Sequence, residues 1–87
     1  MTTTTRFAAR INGEYYAGIN VHEQSPTLRF YEGIENGRTR STPEGVREMM
    51  GEAFDRIPYD APEWEVVALV YDGYDFLGSF RVETVAE

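Results

Sequence analysis

The chain has no cysteine, no lysine and a single histidine, and its longest apolar run is the six residues from Val66 to Tyr71. Without cysteine there are no disulfides, thiolate zinc sites or cysteine nucleophiles. Six apolar residues fall far short of the roughly 18 that a membrane span requires, so no membrane partner is expected. The opening Met1-Thr-Thr-Thr-Thr5 lacks the basic and apolar regions of a secretory signal, and the expected location is cytoplasmic. Catalytic signals are equally sparse. His22 stands alone at a strand end, and Ser25, Ser41 and Ser79 have no nucleophile-elbow context. Gly73 and Gly78 lack the lysine and the helix that would make a phosphate loop. Glu63/Glu65 and Asp72/Asp75 offer two carboxylates each, whereas a hard cation takes about six oxygens or more. The expectation is a protein that is not an enzyme, with no cofactor and no metal.

What is present suffices for one small packed domain. The 87 residues are 41% hydrophobic and 14% aromatic, enough for a single core, with residues 1–4 expected to be disordered. Net charge is −7 and unevenly placed. Residues 1–43 hold five arginines against four glutamates, net +1, and residues 44–87 hold three arginines against eleven acids, net −8. An acidic surface repels phosphate backbones, so direct nucleic-acid binding is disfavoured and a protein partner with a basic surface is expected.

One helix is expected, over about 42–57. Val46, Met49, Met50, Ala53, Phe54 and Ile57 recur at helical spacing, one buried stripe on a rod roughly 22 Å long. Thr42 followed by Pro43 suits a cap and first turn, with Ser41 and Glu44 as the rival capping pair, and Pro58 ends the run.

Around it the sequence places hairpins over about 5–22 and 63–85, turned at Asn12-Gly13 and Asp72-Gly73, with a third strand over 27–35. Three-residue, glycine-ended loops would gather Phe7, Ala9, Tyr15, Ala17, Ile19 and Val21 on one face of the first hairpin. They would gather Trp64, Val66, Ala68, Val70, Tyr74, Phe76 and Phe80 on one face of the second, with Val67 opposite Leu77 and Glu63 opposite Arg81. The strand over 63–71 is apolar on both faces, which suits a central position. The resulting fold class is α+β: two layers, a mostly antiparallel five-stranded sheet under one amphipathic helix, in the order β-β-β-α-β-β. Five strands make a sheet roughly 20 Å wide while one helix covers about 10 Å, so a homodimer through the uncovered sheet face is expected.

Three surfaces invite a partner. Glu44, Glu48, Glu52 and Asp55 lie on the helix side away from the apolar stripe, and their like-charge i, i+4 spacing forgoes favourable pairing. A solvated face is the plain alternative. The tip carrying Tyr71, Asp72, Tyr74 and Asp75 interleaves aromatics with carboxylates, as does Tyr59-Asp60, in the manner of protein interfaces. Arg38, Arg40, Ser41 and Thr42 enter the helix N-terminus, a candidate anion site that Arg6 and Arg10 would extend.

In profile — small, acidic, cysteine-free, single-domain — the chain is similar to phage-encoded inhibitors of bacterial defence systems, including anti-CRISPR proteins. Its strand order resembles small acidic antitoxins with a β-β-β-α-β core. Both are likenesses of profile and not of matched residues. The first implies a non-catalytic inhibitor or modulator of a larger, basic, nucleic-acid-handling protein; the alternative is a structural or oligomerisation domain, or an antitoxin-like module.

Overall fold

In a computed structural model, which describes residues 2–21, 25–58 and 63–86, the chain is an α+β two-layer fold with one helix on a mostly antiparallel sheet. The strands are β1 (Thr3–Ile11), β2 (Glu14–Asn20), β3 (Thr27–Tyr31), β4 (Thr39–Arg40), β5 (Glu63–Asp72) and β6 (Asp75–Ala86), and α1 (Pro43–Arg56) lies between β4 and β5. The sheet runs β3-β2-β1-β5-β6. The sixth strand, absent from the sequence reading, is the short β4, which sets Arg40 opposite Phe7 and Thr39 opposite Ala8. His22, Tyr59-Asp60 and Pro62 lie outside the described residues.

The helix forms as its spacing dictates. Thr42 is the cap: its hydroxyl accepts from the Gly45 N–H at 3.0 Å, and Pro43 fills the first turn. Val46, Met49, Met50 and Ala53 are buried against Ala9, Ile11, Tyr16, Trp64 and Val66, which form the front core. Phe54 meets Trp64 edge-to-face, with ring centroids 6.4 Å apart. β5 holds the expected central place between β1 and β6, and Val66, Val67, Ala68 and Leu69 are sealed from solvent on both sides.

Both hairpin registers differ from expectation. The first closes through a two-residue turn, Asn12-Gly13, with φ of 53° and 81°, so that Arg10 faces Tyr15 and Ile11 faces Glu14. Positive φ at both central residues is the type I′ pattern, whose twist matches that of the strands. Tyr16, not Tyr15, therefore packs in the front core, while Tyr15 turns to the rear. Ala17 is an unmatched bulge residue between the pairs Tyr16–Phe30 and Gly18–Arg29, and it returns Ile19 to the side of Leu28.

The second hairpin turns at Gly73-Tyr74, with Asp72 opposite Asp75. Only Gly73 has positive φ, 63°, the type II′ pattern. Bulges at Leu77 and Val82 then shift β6 twice, placing Phe76 opposite Tyr71, Phe80 opposite Ala68, Arg81 opposite Val67, and Ala86 opposite Glu63. Phe76 is thus on the rear, apart from Trp64, Val66 and Phe80. The equal spacing from each turn glycine to Gly18 and Gly78 marks a bulge at the preceding residue in both hairpins.

Two further segments depart from the sequence reading. Thr3 and Thr4, expected outside the fold, pair with Asp72 and Tyr71, because the ten-residue β5 offers them a partner. The third strand stops at Tyr31, and Ile34–Asn36 forms a 3-10 turn. That turn carries Ile34 onto the rear of the sheet, against a second core of Ala8, Tyr15, Val67 and Leu69. Part of the face expected to be uncovered is therefore closed by the chain itself.

Candidate protein-interaction site

The helix presents Glu44, Glu48, Glu52 and Asp55 to solvent, as one exposed strip facing away from the sheet. Of these, only Glu44 forms an ion pair among the described residues, with Arg47 at 3.4 Å. Arg47 is itself drawn away, donating to Glu83 of β6 and tying the helix to the edge strand. Glu48, Glu52 and Asp55 are thus held on a rigid rod without an ion pair among the described residues.

At the β5–β6 tip, Tyr71 packs inward on Phe76 with ring centroids 5.5 Å apart, while Tyr74 is fully exposed and Asp75 lies in solvent. Tyr71 serves the rear core and Tyr74 is free to anchor a partner. Asp72 is only half-exposed, paired across the turn with Asp75.

Of the four residues of the candidate anion site, Arg40 and Thr42 meet at Gly45 while Arg38 lies apart from them. Thr42 spends its hydroxyl on the cap, and Pro43 has no N–H to offer. Arg40 packs over Gly45, where an added Cβ would come within 3.2 Å of its own Cβ, and its guanidinium donates to the Thr39 carbonyl at 2.9 Å. Arg38 lies over Gly18 instead, in a shallow cleft of about 340 Å³ with Arg29, Tyr31 and Glu35. Ser41 is exposed at the strand end.

Arg6 and Arg10, expected to extend a basic patch, join other arginines on the rear face. Register sets Arg6, Arg10 and Arg81 on the rear, beside Leu69, Tyr15 and Val67 respectively. Arg29 stacks its guanidinium 5.3 Å from the Tyr31 ring centre on the same side. Arg10 donates to Glu65 from Nε at 3.1 Å and from Nη2 at 2.6 Å, and that bond raises the Arg10 pKa above its ordinary value. Arg6 donates to the Thr39 hydroxyl at 3.2 Å. Four arginines thus lie behind the sheet, one of them neutralised by Glu65, while the helix exposes its four carboxylates on the other side. Alternation in β1 places Arg6 and Arg10 there, and Arg81 is likewise expected on the face opposite Trp64; that Arg29 joins them is not expected.

Burial raises the Tyr16 pKa, opposed by Arg38, Arg40 and Arg56. A raised tyrosine favours folding fully below the unfolded value near 10, and that contribution is lost as pH rises through the folded value. Between those values the wild type should therefore lose stability relative to Tyr16→Phe, with a slope of at most about 1.4 kcal/mol per pH unit. Urea unfolding at pH 8, 9.5 and 11 measures it; parallel decline of both proteins would show that Tyr16 ionises freely in the fold.

Among the described residues no helix is long and apolar enough to cross a membrane. Comparison with protein-family models, curated proteins and solved structures finds no match to this chain.

Proposed function

We propose that this chain is a non-catalytic binding protein that inhibits or modulates a larger, basic, nucleic-acid-handling protein by docking its acidic helix face there. The observation that carries the reading is the set of three exposed carboxylates, Glu48, Glu52 and Asp55, that form no ion pair among the described residues. Glu44, Glu48 and Glu52 are successive i, i+4 positions, about 6 Å apart along the rod. A row of negative charges offers a nucleic-acid-binding groove a substitute for phosphate charge, at roughly one carboxylate for every two phosphates of a DNA strand, which follow one another about every 3.4 Å. Asp75 and the free Tyr74 ring at the tip would extend the contact, tyrosine being a frequent interface anchor.

The experiment replaces Glu44, Glu48, Glu52 and Asp55 together by Gln or Asn and titrates a basic partner captured from lysate. The isolated fold should hold, since the variant relieves like-charge repulsion on the helix. Affinity should fall about tenfold or more at low salt, mainly through a slower on-rate, and the salt dependence should flatten. Unchanged affinity and an unchanged salt slope would show the strip to be an ordinary solvated face.

A further inference from the structure

β6 is the outermost strand, twelve residues long, and no described strand pairs with its outer side. At about 3.4 Å per residue it runs roughly 40 Å, most of the 45 Å length of the molecule. Outer strands of monomeric proteins are commonly blunted by lysine, proline, inward charge or bulges, and the bulges of β6 at Leu77 and Val82 leave Gly78–Arg81 regular between them. β6 has neither lysine nor proline. Its Glu83 is drawn back to Arg47, so that Arg81 is the one charge between Phe76 and Val82. Along the same stretch Phe76 is 44% exposed, Leu77 61%, Phe80 59% and Val82 41%.

These apolar groups lie on both faces of the edge. Phe80 is on the helix side, opposite Ala68, and Phe76 is on the rear, opposite Tyr71. A partner resting on one face would leave the other wet. A strand added to the edge covers both.

We infer that β6 pairs antiparallel with β6 of a second copy, about a two-fold axis at Ser79, to make one continuous sheet. Self-pairing about Ser79 sets each Phe80 opposite Gly78 of the other copy. Both are on the helix side, since Gly78 faces Val70 as Phe80 faces Ala68. The ring then fills the space that the glycine leaves, twice by symmetry. Between the bulges at Leu77 and Val82 the register brings no like charges together, since Arg81 falls opposite Leu77. With full burial of an aromatic ring removing about 150–250 Å², the exposed parts of Phe76, Leu77, Phe80 and Val82 supply roughly 400 Å² per copy. The pair would bury roughly 800 Å², the size of a weak interface that forms at high concentration.

The test is sedimentation velocity from 10 to 500 µM on the full chain, the Phe80→Lys variant, and Ser79→Cys. The wild type should show reversible dimerisation that strengthens with added salt, because each copy carries net −7 and salt screens the repulsion. That sign is opposite to the salt effect expected for the acidic helix face, so the two readings fail separately. Phe80→Lys should stay folded by circular dichroism, its side chain being mostly exposed, and raise the dimer dissociation constant at least tenfold. Ser79→Cys adds the sole thiol and should oxidise to a covalent dimer, whereas Thr84→Cys should not. A wild type that stays monomeric at 500 µM, a dimer that Phe80→Lys leaves intact, or equal crosslinking at 79 and 84 would each overturn the inference.

Discussion

Trp64→Ala is expected to destabilise the fold by about 3–5 kcal/mol, the cost of emptying an indole site that its neighbours can only partly refill. Trp64 is almost wholly buried, in contact with the Phe54 ring and part of the cluster formed by Ile11, Met49, Met50 and Val66. It joins three elements at once: β5 on which it sits, α1 through Phe54, and β6 through its partner Val85. A chain of this size has a total stability of about 4–13 kcal/mol, so the loss is a large share. The melting temperature should fall by at least 10 °C. Trp64→Phe keeps part of the volume and should cost less. Since the substitution removes the only tryptophan, far-ultraviolet circular dichroism is the readout. A loss under 1 kcal/mol would mean that the helix does not seat on the sheet as described.

Leu69→Ala should cost about 2–5 kcal/mol although Leu69 lies on the side that the helix does not cover. It is fully buried in the rear core with Ala8, Tyr15 and Val67, against which Ile34 and Tyr71 pack. Were the rear a bare surface, the same truncation would remove a half-wet side chain and cost well under 2 kcal/mol. Phe80→Ala, which deletes a larger but mostly exposed group, should stay within about 0.5 kcal/mol at concentrations where the chain is monomeric. Comparable losses for Leu69→Ala and Phe80→Ala in chemical denaturation would place the rear core in solvent and contradict the fold.

These variants separate the layers of the molecule, and the layers differ in how far the amino-acid sequence reveals them. Glu48, Glu52 and Asp55 were legible as an exposed strip from spacing alone, because a helix has one period and its apolar stripe fixes its outward side. The sides of single rear arginines were legible from strand alternation, as for Arg6 and Arg10 on β1, but their gathering into one patch depended on strand order and on the bulges of β2 and β6. The same holds for the division of the tip, where Tyr71 goes inward and Tyr74 outward. One residue of slip in a strand reverses every side chain beyond it.

Local chemistry alone determined the helix, with Thr42 as its cap and Pro43 in its first turn, and the central, doubly covered place of β5. A 3.6-residue stripe and a strand apolar on both faces each admit one arrangement. Tertiary structure decided the registers. Tyr15 and Tyr16 offer an aromatic to either face of β2; the apolar pattern of Ala17, Ile19 and Val21 favours Tyr15, but the type I′ turn at Asn12-Gly13 sends Tyr16 to the front core. It also decided that the 3-10 turn at Ile34 folds under the sheet to close a second core. That closure joins residues distant in the chain, Ile34 with Leu69, through packing that no local period records.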